Sequence, residues 1–492
     1  MLQLLSSQIS LVIAYYAVLS VYRLYFHPLA KYPGPKLAAI SPLWTIWMST
    51  SGRMHLILKD LHDKYGDVIR TGPNELIFTT SQAYQDVYGH VSKGKQRFLK
   101  TEDYENDDPN PRVSGARDPV EHARLRKALS HAFSAQSLRT QEEVVQKYLD
   151  GFIQQILKLG ELGKKGLDMS KMYNWVTFDT IGDLAFNESF GAIENGETPT
   201  WISFLLDFSF ASFLTAPRRI FPILALYLPF VLPKGSDESI RKHRALTREK
   251  AKRRIALGGD TGRVDFFSHM LKSNAMTEGE MISLSSTLII AGSETTATAL
   301  AGLTWYLLHY PDVMAKLQAE VRTAFRDMGE ITGDSTMALP YVHAVIEEGL
   351  RLFPPFILAL PRYSPGASVD GHWVPKGVKV GVSSWLTSRD PRYFRDPEAF
   401  RPERWIDNHS DAGYYANDDK KASQPFSTGP RACLGINLAY LELRIILAKL
   451  VWAFDWELAK PVDKWQEASL VKLFWIKPEL LVKFHPHSAA VA

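Results

Sequence analysis

The chain has 492 residues, with 57 lysines and arginines against 53 acidic residues and a formal net charge of +4. A balance this even, without a basic stripe interleaved with aromatics, argues against a nucleic-acid partner, and a single cysteine excludes a disulfide framework and fits a reducing compartment. Length suggests about three domains, yet no repeat, Gly/Ser linker or block of like charge divides the chain, so residues 41–492 read as one large, mainly helical domain.

Residues 1–22 contain no charged side chain, and roughly 20 apolar residues cross a bilayer core of about 30 Å. The stretch reads as a single transmembrane helix. It lacks the basic start and small-residue cleavage site of a removed signal. Arg23, His27, Lys31 and Lys36 follow it, which places the large domain on the cytoplasmic face by the positive-inside rule. Tyr32-Pro33-Gly34-Pro35 makes the basic, proline-rich segment 23–40 a stiff hinge. Alternating runs at 68–71, 76–79 and 368–382, the last turning at Asp370-Gly371, predict small hairpin sheets.

His122 and Arg126 share one face at the start of a predicted helix, with Arg124 between them and Lys127 beyond. Residues 201–232 are apolar but broken by prolines and Arg218-Arg219, so each half is too short to span and packs as a core helix. The basic run 241–254 reads as a solvated helix face. In residues 285–306, Ala291 and Thr295 lie one helical turn apart beside Gly292, with Glu294 next in line. Hydroxyls that bond carbonyls one turn back, together with a glycine, predict a local opening of this helix that admits dioxygen and water. Glu348 and Arg351 face the same side of a helix and pair; on a surface this would contribute only a few tenths of a kcal/mol. Arg362 precedes a strand, and Arg401-Pro402-Glu403-Arg404-Trp405 follows before the cysteine.

Cys433 lies in the run 426–435, which spells F-x-x-G-x-R-x-C-x-G. Five fixed residues, each at a background of roughly 5 %, coincide by chance in about one such chain in 10⁴. Gly429 and Gly435 permit positive φ or the close approach of a flat ligand, and residues 436–454 read as a helix beginning just after the cysteine. A thiol there meets unsatisfied N–H groups and the positive end of a dipole, which lower its pKa and favour the thiolate a metal needs. Phe426 shields the sulfur, and Arg431 offers a cationic fork to a carboxylate. Nucleophilic thiol catalysis stays open, since 14 histidines could supply a base.

The cysteine run resembles the haem-binding loop of the cytochrome P450 family, and the other motifs stand in that family's order. The resemblance implies haem b with an axial thiolate from Cys433, framed by Phe426 and Gly435. It matches A-G-x-[D/E]-T at Ala291, Gly292, Glu294 and Thr295, with Thr295 as the alcohol that bonds dioxygen and Glu294 as a proton-relay acid. Glu348, Arg351 and Arg404 match the family's buried charge network. His122 and Arg126 match W-x-x-x-R at a haem propionate, with His122 in place of tryptophan; Arg362 and Arg431 match the other propionate cations. Ser388 stands where histidine or asparagine is commoner before R-D-P.

The family implies a helical fold with small β-sheets and electrons from NADPH through a reductase, with cytochrome b5 as a further donor. Arg124 and Lys127 would face an acidic electron donor. The anchor and hinge resemble those of microsomal, filamentous-fungal members, which implies the endoplasmic reticulum membrane. They also imply an apolar substrate, a terpenoid or polyketide intermediate of secondary metabolism, which the segments 100–117, 201–232, 353–360 and 470–475 would enclose. A haem-thiolate isomerase or dehydratase, and a fatty-acid or xenobiotic hydroxylase, are the alternatives; the acid–alcohol pair favours oxygen activation.

Overall fold

The computed structural model describes residues 2–487 apart from 93, 95, 106–107, 200–235, 408 and 412. The apolar stretch 201–232 lies outside the described residues. Helix α1, Leu2–Val21, continues through a π-helical turn at Tyr22–Phe26. Over Ser7–Phe26 it is long and apolar enough to cross a membrane, and its apolar window is unburied, while Arg23 near its end bonds to Ile40 and Arg70.

Segment 23–40 docks on the domain. The Pro33 carbonyl accepts from the Arg70 amide at 2.8 Å, the Tyr32 hydroxyl donates to the Trp373 carbonyl at 2.9 Å, and a Cβ on Gly34 would lie 2.3 Å from the Arg70 carbonyl oxygen. Glycine is required there because two backbones touch.

Strands β1 (Val68–Gly72), β2 (Glu75–Phe78) and β3 (Leu99–Lys100) join β5 (Arg362–Tyr363) and β8 (Lys379–Val382) in a sheet of order β1-β2-β8-β5-β3. β2 and β8 run parallel, and the other pairs are antiparallel. Run 368–382 is thus not one hairpin. β6 (Ala367–Val369) and β7 (His372–Val374) turn through Asp370 and Gly371, both at positive φ as a tight primed turn demands, while β8 crosses to the larger sheet. A further sheet has the order β4 (Leu167–Asp168), β12 (Leu481–Pro486), β9 (Phe454–Leu458), and β10 (Leu470–Val471) pairs with β11 (Trp475–Ile476).

The helices that carry the site are α2 (Pro119–Ser130), α3 (Ala135–Leu159), α4 (Met169–Phe186), α5 (Glu278–His309), α6 (Pro311–Ala324), α7 (Pro340–Leu352) and α8 (Ile436–Ala453). The 32-residue α5 starts at a reciprocal capping box between Thr277 and Glu280 and is buried along most of its length. It runs against α4 so closely that a Cβ on Gly292 would lie 2.8 Å from Ile181 Cδ1. The helix is unbroken, contrary to the opening expected from its hydroxyls. Ser293 and Thr295 each donate to the carbonyl one turn back at 2.6 Å, so they add bonds without displacing the ladder, and Gly292 serves helix packing.

Candidate active site

A cavity of about 1100 Å³ opens between α5 and the loop before α8. Its wall carries Cys433, Ala291, Thr295, Phe426 and Gly435, and, on one flank, His122, Arg126, Arg362 and Arg431. The residues expected at the site, scattered over more than 300 positions, therefore converge on one space, with Glu294 outside it, while the Glu348, Arg351 and Arg404 network lies apart from the cavity wall.

The cysteine loop is fixed by its backbone. Gly429 sits at φ 73°, where a Cβ would lie 2.1 Å from the Tyr88 carbonyl oxygen. The Cys433 amide donates to the Phe426 carbonyl at 2.8 Å, closing the loop on itself, and the Phe426 ring packs on Tyr440 with centroids 5.1 Å apart. Gly435, the N-cap of α8, has φ −86°, and a Cβ on it would meet nothing nearer than Phe133 at 3.9 Å. That Cβ would project into open space at the cavity wall, where a flat ligand needs room.

Cys433 is exposed to the cavity, yet protein surrounds it closely. Burial pushes its thiol up, and the Gly435 amide and Arg126 guanidinium pull it down. The helix-start expectation names influences that do pull the thiol down, but burial outweighs them. A coordinated metal ion would supply the rest, because a coordinating thiol is deprotonated outright.

The flank opposite is a cluster of buried cations with too few anions. Arg362 is 4 % exposed and leaves one guanidinium nitrogen unbonded; Arg112 Nε and the Tyr104 hydroxyl are also buried without a partner among the described residues. Lys100, 8 % exposed, donates to the Ser114 carbonyl at 2.5 Å, and burial followed by Arg362, Arg431 and Arg112 holds its amine well below the usual lysine range. Burial, then Arg362, brings Arg431 down to about 10. Two Arg431 nitrogens donate to the carbonyls of Ala116 and Arg117 at 2.6 and 3.0 Å. Arg126 donates to the Ala432 carbonyl at 2.7 Å, tying α2 to the cysteine loop. His122 stays neutral, lowered to about 4 by burial and then by Arg431, Lys100, Arg126 and Arg362. Buried cations persist only when paired, so this flank fits a ligand bearing carboxylates, and the two propionates of haem meet that requirement.

Glu294 is not in the cavity wall. It is 1 % exposed, paired with Lys477 and accepting from Thr298 at 3.1 Å. Thr295 lines the cavity, and its hydroxyl donates to the Ala291 carbonyl. Consecutive helical residues point about 100° apart, which separates the two.

Arg124 is engaged by Glu121 at 2.7 Å and by Glu280 and so is no free docking cation. Beneath the cavity, Arg351 grips Glu348 with bonds of 2.8 and 2.7 Å, and Arg404 and Trp405 donate to the same carboxylate at 3.1 and 2.9 Å. Arg404 also pairs with Asp418.

Sequence reasoning missed the cations Lys100 and Arg112 and the Tyr104 hydroxyl beside them, having placed them only in a pocket-shaping loop. It also missed Lys477 and Glu442. An acid inside the apolar run 436–453 is the one local signal that marks Glu442.

A cavity-lining thiol, a flank of cations short of anions and an alcohol on the helix across the cavity together fit a haem-thiolate site. The Cytochrome P450 family model matches residues 33–484, and the chain belongs to that family. It is 44 % identical to Cytochrome P450 monooxygenase BOA3 of Botryotinia fuckeliana, over 96 % of this chain and 94 % of that protein. Cytochrome P450 monooxygenase btcC of Colletotrichum orbiculare is 37 % identical over 99 % and 95 %, and astJ of Aspergillus oryzae 39 % over 95 % and 94 %. The protein is an oxidoreductase of the monooxygenase type that uses cysteine-ligated haem, a redox partner and an organic substrate.

Proposed function

We propose that this monooxygenase inserts one oxygen atom from O₂ into an apolar small molecule, a terpenoid or polyketide intermediate of fungal secondary metabolism, most simply by hydroxylation. The observation that carries the reading is the convergence of Cys433, Thr295 and the uncompensated cations on one cavity. Haem held by the Cys433 thiolate supplies the activation of dioxygen, which thiolate donation favours.

The chain's own residues do the rest. Arg126, Arg362 and Arg431, with Lys100 and Arg112, neutralise the haem carboxylates and fix their orientation. His122 is an uncharged donor or acceptor among them. Phe426 covers the sulfur side against water. Thr295 accepts or passes a proton at Oγ1 on the cavity side. Glu294 is a relay acid only after leaving Lys477, since the pair turns it from the cavity. Ile181, Leu288, Phe356, Leu358, Leu473 and Phe474 line the remaining space, an apolar chamber suited to a hydrocarbon-rich ligand.

Residues 1–22 anchor the protein in the endoplasmic reticulum membrane as a single pass, residues 23–40 link anchor to domain, and residues 41–492 form the cytoplasmic catalytic domain. Exposed Leu43 and Trp47 beside the anchor extend the contact with lipid. Electrons arrive from an NADPH-dependent reductase, with cytochrome b5 as a second donor, and Lys127 remains a candidate for its docking face. Reconstitution with reductase, NADPH and ¹⁸O₂ against a metabolite extract of the source tests the reading. One labelled oxygen in a new product supports hydroxylation or epoxidation, and label-free conversion that consumes NADPH and O₂ marks a desaturation; label-free conversion that needs neither identifies an isomerase or dehydratase instead.

A further inference from the structure

Arg112 lies in the cavity wall, half-buried, on the segment between β3 and α2. Its Nε is buried without a partner, and no hydrogen bond or ion pair joins its guanidinium to any of the described residues. The backbone that carries it is fixed. The Arg112 carbonyl accepts from the Gly115 and Ala116 amides at 3.0 and 2.8 Å, the Ser283 hydroxyl of α5 donates to the Asn110 carbonyl at 3.4 Å, and a Cβ on Gly279 at the start of α5 would lie 2.4 Å from Asn110 Oδ1. A half-buried cation left unpaired is costly, and packing does not explain it, because a methionine would fill similar space.

We propose that Arg112 binds a carboxylate of the substrate, which makes that substrate an apolar monocarboxylic acid. This substrate class rests on the monooxygenase reading. Haem brings two carboxylates, and Arg126, Arg362 and Arg431 in the same wall already outnumber them. Arg112 adds its charge to that flank at longer range. The charged groups that act on Arg112 itself are Asp108 and then Arg244 of the helix Ser236–Ala256, with none of those three arginines among them. Its charge is therefore in surplus and calls for a further anion.

One negative charge suits the place better than two. The Asp108 carboxylate accepts from the Asn110 amide and side-chain nitrogen at 3.0 and 3.1 Å, and it offsets the Arg112 charge only from a distance, while Arg244 acts in the opposite sense. A phosphate ester would bring close to two charges. A carboxylate brings one and matches the flat fork of a guanidinium. Val113, Leu288 and Ile290 belong to the same wall, so the rest of such a ligand meets apolar surface.

The test uses full-length, haem-loaded wild type, Arg112→Met and Arg112→Lys at neutral pH. Calorimetry and the shift of the Soret band read dissociation constants for dodecanoic acid, abietic acid and the primary alcohol that corresponds to each. At least one acid should bind the wild type roughly 10-fold or more tightly than its alcohol. Arg112→Met should take acid and alcohol alike, and Arg112→Lys should keep part of the preference, since it retains the charge without the fork. The haem carboxylates are in place throughout, so an acid preference in the wild type shows Arg112 open to substrate. A wild type that binds neither acid better than its alcohol leaves Arg112 to the haem carboxylates and overturns the proposal without any variant. A preference that survives in Arg112→Met overturns it as well. A wild type without the red-shifted carbon-monoxide band overturns the monooxygenase reading; a band without an acid preference overturns this proposal alone.

Discussion

Lys100 and Arg362 are directly opposite partners on the antiparallel strands β3 and β5, so two cations stand side by side in the cavity wall. Like charges directly opposite in a sheet destabilise it, and here no carboxylate intervenes. Lys100→Met should therefore stabilise the haem-free protein, by about 1 kcal/mol on the scale of cross-strand pairs, while weakening haem retention. Denaturation of the haem-free protein and haem titration of the same variant read the two opposite effects.

Glu348 accepts from Arg351, Arg404, Trp405 and the Arg401 amide, and both arginines are fully buried. Removing one partner strands charge. Arg351→Ala or Arg404→Ala should cost about 3 to 5 kcal/mol, read as loss of folded, haem-containing protein. Arg351→Lys should recover little, because a lysine cannot reproduce the two-pronged grip together with the bonds to the Ser388 and Pro397 carbonyls.

Lys477 is the only cation paired with Glu294 among the described residues, and both are buried. Lys477→Met should destabilise the fold by about 3 kcal/mol, and the double change with Glu294→Gln should recover most of that loss. A chemical denaturation cycle over the four proteins checks it.

His122 has a folded-state pKa of about 4 against an ordinary 6.5, lowered first by burial and then by the surrounding cations. Its unfolded form binds the proton more readily, so its contribution to stability is complete above about pH 6.5 and is lost as pH falls toward about 4. Haem-free wild type should lose on the order of a few kcal/mol across that window, and His122→Phe should show a shallower slope. If carboxylates of the bound haem lie beside His122 they would oppose the cations, and the haem-loaded protein should then also show a shallower slope.

Much of the site was legible in the sequence because its pieces are local. The cysteine loop carries its own glycines, and helix α8 follows it where the apolar run predicts, Ile436–Ala453 against an expected 436–454. The Glu348–Arg351 pair is written in helical spacing. What spacing cannot show is which elements meet across the fold. Lys100 gained its meaning only when a two-residue strand placed it opposite Arg362. Arg124 lost its role as a docking cation because Glu280, at the start of α5, reaches it. Glu294 was read by its motif, although its position next to Thr295 already implies that one of the two faces away from the cavity. The expected opening of α5 failed because hydroxyls that bond a carbonyl one turn back need not break the amide ladder.

The central claim is that Cys433 holds haem iron as a thiolate in this cavity. Absorption spectroscopy of the dithionite-reduced, carbon-monoxide-treated protein tests it most directly. A strongly red-shifted Soret band in the wild type that disappears in Cys433→Ser is the predicted result. A wild type that stays colourless with haem supplied, or a Cys433→Ser variant with the same band, would contradict it.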